Sequence, residues 1–285
     1  MSAGAAATKS WPRSHVARAW APPDRPTAAR AILAMRQLLL AVLAATSLLP
    51  SCTQFRVEAK AAYANLALDG DLGYRNGTGV PAVPQDSEAA YGLGDDQASP
   101  YARVEADLGV PLLAVSGFTF ADSGSGVLTA DFGDIASGSA VTSTFDLTNV
   151  KALAALQFRL GPVTLAPGLA ASYIDYEHAV RGPGGSPRNV NTADGVLPLA
   201  VLRAGVDLGP VAATLEGGYF ELDLEDGEAK LLDIEAMFAV HATTHLDVFV
   251  GYRHFALQDS GDLNGAAVTA DYTVSGFLIG GGVRF

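Results

Sequence analysis

The chain has 285 residues, 49% hydrophobic and 17% charged, yet no stretch reaches the roughly 20 apolar residues that a membrane-spanning helix needs. Its net charge of −12 argues against nucleic acid as a partner, because phosphate repels an acidic surface. Cys52 is the single cysteine, which excludes an internal disulfide.

In chain order, residues 1–34 carry Lys9, Arg13, Arg18, Arg25 and Arg30 against Asp24 alone, with several prolines. They read as an over-extended or disordered N-terminus, with Met35 the expected start. Met35-Arg36-Gln37, the short apolar run Leu38–Pro50 and the small residues that follow read as a signal peptide over 35–52. Leu49-Pro50-Ser51-Cys52 resembles a bacterial lipobox, which would lipidate Cys52. Ser51 suits that pattern and Pro50 does not, so ordinary cleavage nearby is the alternative. Losing residues 1–52 removes 6 of 18 basic and 1 of 30 acidic residues, leaving 12 − 29 = −17. Residues 53–63 read as a short linker.

Beyond position 60 the apolar residues alternate with polar ones, the two-residue period of a strand with one apolar face. Short turns recur at Gly109, Gly161-Pro162 and Gly209-Pro210, with a fourth around Ala242-Thr243-Thr244. Between them lie longer polar segments at 75–98, 122–142, 179–195, 225–230 and 258–270. Short turns at one end and long loops at the other predict an all-β, single antiparallel up-and-down transmembrane barrel over 64–285. Ten strands are expected: 64–74, 99–109, 112–121, 143–160, 163–177, 196–208, 211–224, 231–242, 245–257 and 271–285. Eight is the alternative. The first strand is the weakest, because Phe55 and Val57 alternate on odd positions and Leu66, Leu68 and Leu72 on even ones.

Pairing across the turns tests the pattern. Around Gly161-Pro162, Phe158 faces Leu165, Ala154 faces Leu169 and Val150 faces Tyr173, while Lys151 meets Ser172 on the polar face. Around Gly209-Pro210, Val206 faces Ala213 and Ala200 faces Tyr219, with Arg203 opposite Glu216. Around Thr243, Phe238 faces Val248 and Ile234 faces Tyr252, with Asp233 opposite Arg253. Each hairpin sorts into an apolar and a polar face, which a one-residue slip would destroy. Tyr173, Tyr219 and Tyr252 fall toward the loop ends, and Phe158, Phe238 and Phe285 toward the turn ends. Two aromatic bands are what the two interfaces of a bilayer favour.

The last strand places Phe277, Ile279, Val283 and Phe285 on one face and ends on the aromatic ring. Here the chain resembles the OmpA/OmpW-like small outer-membrane barrels over roughly residues 60–285. The resemblance implies a cell outer-membrane location, recognition of that terminal strand by the barrel-assembly machinery, and contact with outer-membrane lipid and lipopolysaccharide.

A barrel this small is largely filled by its own side chains. Arg203, Glu216, Asp233 and Arg253 are expected as lumen ion pairs, and Arg103, Glu105, Lys151 and Glu235 as further lumen charges, with Asp107 and Arg159. They suit a plug better than a constriction, since buried charges must be paired. The expected function is a structural or surface role with a narrow, charge-plugged lumen. A small-solute or hydrophobic-compound channel is the alternative, and an outer-membrane hydrolase is disfavoured. Tyr252-Arg253-His254-Phe255 is similar to the His-x-Ser of lipid A deacylase barrels, but position 256 is Ala. Asp175 and His178 could imitate an omptin-type Asp–His dyad. His241 and His245 flank a turn, but two ligands do not make a metal site, and the acidic segments 94–96 and 259–262 lack calcium-loop spacing. No cofactor is expected.

Overall fold

The computed structural model describes residues 55–77, 80–185, 188–224, 227–263 and 265–285. The expected signal peptide and Cys52 lie outside the described residues.

The described residues form one antiparallel sheet of twelve strand segments closed into a ring. They are β1 (Arg56–Asn76), β2 (Gln85–Asp86), β3 (Gln97–Asp107), β4 (Pro111–Val127), β5 (Ala140–Leu156) and β6 (Phe158–Leu160), then β7 (Val163–Arg181), β8 (Arg188–Asp207), β9 (Val211–Leu224), β10 (Gly227–His241), β11 (Leu246–Leu263) and β12 (Ala266–Arg284). A short helix, α1 (Ser87–Tyr91), follows β2. Sequential neighbours pair, β6 continues the line of β5 beside β7, and β12 returns to β1 from Glu58↔Arg284 to Asn76↔Ala266. Closure thus runs over about ten long strands and removes the sheet's end edges. Chain ends meet at the short-turn end, where Val57 and Phe285 exchange backbone hydrogen bonds of 3.1 and 2.9 Å.

The two Gly-Pro turns set the register because their glycines accept φ of 63° (Gly161) and 90° (Gly209). Phe158↔Leu165, Val150↔Tyr173, Ala200↔Tyr219 and Arg203↔Glu216 pair as the alternation requires. The third hairpin differs. Phe238 pairs with Val250 and Ile234 with His254, two residues away from the expected register. Here the turn is longer: Thr243 Oγ1 accepts from the backbone N–H of His245 and Leu246 at 3.2 and 3.0 Å. A slip of two preserves the faces because the side-chain period is two.

Around the turn-end half of the barrel the large apolar side chains point outward. Leu169 is 72% exposed, Leu215 53% and Val248 54%, while Arg203, Asp233 and Arg253 are buried inside. Further out the arrangement reverses. Inward positions become Leu68, Phe120, Phe145, Tyr176 and Tyr272, all buried, and the outward ones become Asp69, Asp146, Asp175 and Asp271. This inversion corrects two expectations. Most of the polar segments expected as loops are strand extensions whose polar residues mostly face outward, Asp122 being an inward exception, so β4 runs to Val127 and β11 to Leu263. And β1 begins at Arg56, so the expected linker is wall: Phe55 and Val57 face outward on the belt, whereas Leu66, Leu68 and Leu72 face the apolar outer lumen. The phase conflict is one strand crossing two environments.

The outer lumen is apolar because a cap fills it. Asp86 caps α1 by accepting from Ala89 N–H, Gly92 ends the helix at φ 68°, and Tyr91 donates to the Leu72 carbonyl at 2.8 Å. Phe132 and Ile135, from the β4–β5 connection, are buried beside it.

Candidate functional site

The barrel's interior is stacked in three layers, and the middle one is ionic. Four cations (Arg103, Lys151, Arg203, Arg253) face four carboxylates (Glu105, Glu216, Asp233, Glu235). They come from β3, β5, β8, β9, β10 and β11, so the contacts cross the lumen as well as joining neighbours. Arg103 reaches Glu216 at 2.7 Å, Glu235 at 3.0 Å and Glu105 at 3.2 Å. In ring order β3 and β9 are diametrically opposite, so the Arg103–Glu216 bridge spans the lumen. Lys151 lies 2.8 Å from both Glu216 and Asp233. Arg253 holds Asp233 at 3.0 Å and Glu235 at 2.9 Å, and its guanidinium sits 4.4 Å from the centroid of Phe118. Arg103 and Arg253 divide their nitrogens among several carboxylates, while Arg203 grips Glu105 with two, at 2.8 and 3.0 Å; such charge-assisted contacts offset the cost of burying the charges.

Each charge expected in the lumen is placed there, but the partners differ. Arg203 meets its cross-strand neighbour Glu216 at 3.3 Å and is held closer by Glu105 at 2.8 Å. Arg253 pairs with both Asp233 and Glu235, because the longer turn sets Glu235 opposite it. Arg159 and Asp107 pair with each other lower down, at the half-exposed rim. Sequence pairing sees neighbouring strands, whereas contacts across the lumen depend on closure. Asn149 was not anticipated. It is fully buried, accepts from Arg253 at 3.3 Å and donates to Ser172 Oγ at 2.7 Å. Its signal was available, since it shares the inward parity of Lys151.

Toward the turn end the lumen opens into a vestibule of about 360 Å³ whose lining includes Arg56, Glu58, Lys60, His241 and Arg284. Lys60 pairs with Glu58 at 3.0 Å, both from the stretch expected as linker. Buried Asp247 links His241 Nδ1 at 2.8 Å and Arg284 Nε at 3.1 Å. His245 Nδ1 instead contacts the Arg284 carbonyl at 3.0 Å. The two histidines therefore have separate partners. Among the described residues no group of three or more His, Cys, Asp or Glu could hold a metal ion.

Toward the loop end the third layer is aromatic. His178 is buried with its ring 4.8 Å from Tyr91, 5.4 Å from Phe132 and 6.3 Å from Phe145, centroid to centroid. It lies five residues beyond Tyr173, outside the apolar belt, and burial pushes its pKa down to about 3. Asp175 is exposed on the outer surface. Odd and even positions of one strand point to opposite faces, so Asp175 and His178 do not form a dyad.

On the outer face Tyr173, Tyr219 and Tyr252 lie near the loop-side limit of the belt, with Tyr252 against Phe277 at 5.3 Å. Phe158, Phe238, Phe277, Ile279, Val283 and Phe285 are outward and accessible. Tyr63 on β1 and Phe55 just before it are also exposed, join this set and were missed because residues 53–63 were read as a linker.

No protein-family model matches this chain, and no curated protein matches it at the level of sequence. Among solved structures it is similar to the outer membrane protease OmpT from Escherichia coli, at 12% identity over 82% of this chain and 99% of that one, with a TM-score of 0.50. The translocator domain of the autotransporter NalP from Neisseria meningitidis aligns at 17% identity over 92% and 98%, with a TM-score of 0.41. The attachment invasion locus protein Ail of Yersinia pestis aligns at 10% identity over 81% and 99%, with a TM-score of 0.34. The first of these likenesses shows that the chain has the fold of an outer-membrane β-barrel.

Proposed function

We propose that this protein is a bacterial outer-membrane barrel with a structural or surface role and a lumen closed to solutes. The observation that carries the reading is the combination of an exposed apolar belt with a buried ionic layer. An apolar surface that wraps a closed barrel suits hydrocarbon and would aggregate in water. Inside, four cations and four carboxylates satisfy one another across the lumen, which leaves no free charge to draw an ion through. The apolar cap closes the outer end a second time.

The reading is non-catalytic, in line with the separation of Asp175 from His178 and with Ala at position 256. Outer-membrane lipid and lipopolysaccharide are the proposed surroundings, and nucleic acid is not a partner. The outward Phe277, Ile279, Val283 and Phe285 support recognition by the barrel-assembly machinery and the OmpA/OmpW-like resemblance. The test is conductance of the protein, expressed with its own leader and purified from membranes, in a planar bilayer. No ohmic steps are expected. Steady single-channel steps would replace this reading with the small-solute channel.

A further inference from the structure

Above the apolar belt the wall diverges at two places, and the two are treated differently. Between β3 and β4 pairing stops at Tyr101↔Phe118, while β4 continues to Val127 and β1 to Asn76. That wedge is filled. β2 pairs with β1, the Asp122 carboxylate accepts from Gly94 N–H at 2.8 Å and Gln97 Nε2 at 2.9 Å, and α1 lies so close to β4 that a Cβ on Gly92 would sit 2.3 Å from the Ser125 carbonyl.

The second divergence is open. β8 pairs with β7 along 163–181, but with β9 only from Asp207↔Ala212 to Ala200↔Tyr219. From there β9 continues to Leu224 beside β10, and residues 188–199 of β8 have no partner strand on that side among the described residues. The notch starts beyond the Ala200↔Tyr219 pair and takes in Val196. Behind it a dent of about 30 Å³ indents the wall, lined mainly by Ile174, Tyr176, Leu197 and Leu257, with Asp194 and Asp259 at its margin. Its rim is acidic along β7 and β8, where Asp194 is exposed beside its cross-strand neighbour Asp175; across the gap Glu221 is already paired with Lys230 at 3.2 Å.

An unpaired strand edge presents a row of backbone N–H and C=O groups that template another strand. Strand addition draws affinity from those backbone groups and specificity from alternate side chains. The dent has room for one small apolar group, which is what an added strand would point inward. Its outward side chains would lie next to Asp194, with Asp175 one strand further along the wall. A second copy of this chain would bring the same carboxylates together, and an anionic lipid would meet them as well. We propose that the open edge of β8 between β8 and β9 receives an extended basic peptide segment by strand addition, with a small apolar side chain entering the dent beside Leu197. This surface role does not depend on whether the lumen conducts.

The test uses the purified protein in phosphatidylcholine nanodiscs, which carry no net charge. Fluorescence anisotropy follows a labelled ten-residue alternating lysine–alanine peptide, its glutamate–alanine counterpart, and a lysine–alanine peptide N-methylated at alternate backbone positions. Saturable binding of the first is expected, about tenfold or more tighter than either of the others. Asp194→Lys should weaken it about tenfold, with Asp194→Asn intermediate, while both variants keep the heat-modifiable mobility of the folded barrel. Equal binding of the N-methylated peptide would overturn the proposal, because charge without backbone pairing would then suffice. So would binding no stronger than to empty nanodiscs, or efficient oxidative cross-linking of Val196→Cys between two copies.

Discussion

Arg103 holds three carboxylates, and its removal would leave Glu105, Glu216 and Glu235 competing for Arg203, Arg253 and Lys151. Breaking a buried ionic network from one side costs about 3–5 kcal/mol, since the remaining charges stay desolvated. Arg103→Ala should therefore lower the unfolding free energy obtained from urea titration by that order. Arg159→Ala, at the half-exposed rim, should cost under about 1 kcal/mol in the same assay. His178 shows how burial alone sets a pH limit. Held neutral among rings, it titrates near 3 rather than at its ordinary 6.5. The unfolded chain takes up a proton as pH falls below 6.5 and the folded one does not, so stability declines from about 6.5 down to about 3. Acid urea titrations of the native protein should show this loss. His178→Phe should flatten that part of the profile.

At the scale of elements, the cap and the wall are joined through one glycine. Gly92 ends α1 at φ 68° and its Cα faces the β4 backbone, so Gly92→Ala meets both backbone strain and collision with Ser125. The cap should loosen while the barrel remains closed. Limited proteolysis should then cut within 80–96 at a rate several-fold above that of the native protein, with the heat-modifiable mobility unchanged. Loss of that mobility would show instead that the cap is part of the barrel's own folding unit. The β10–β11 hairpin illustrates a complementary point. Its register moved by two residues because Thr243 organises a longer turn, yet every side chain kept its face.

For the whole molecule, the outward belt and inward ionic layer exchange roles above the tyrosines, where outward residues turn acidic and inward ones aromatic. The barrel is thus inverted relative to a water-soluble protein along its belt, as the proposed membrane setting requires, and ordinary above it. Leu169→Arg, in the belt, should cost about 2–4 kcal/mol measured as a shift in urea midpoint in lipid, because arginine in hydrocarbon is expensive. Thr144→Arg, outward on the acidic extension of β5, should be close to neutral.

The two-residue alternation and the Gly-Pro turns were enough to place the belt portions of the strands, though not their ends or the start of β1, to set the register of two hairpins and to say which face of the belt is charged. Those properties are local: a turn and its flanking dozen residues determine them, and an apolar outer belt over an ionic interior admits a single orientation. Tertiary structure alone decided what lies across the lumen. Arg103 meets Glu216 because closure brings β3 opposite β9, residues over a hundred positions apart. It also decided that the outer lumen is apolar, since α1 and Phe132 fold back into it and convert Leu66, Leu68 and Leu72 from an apparent fault in the pattern into core. The open edge of β8 was likewise invisible in the sequence, because alternation reports which face a side chain takes and is silent about whether a neighbouring strand is there to pair.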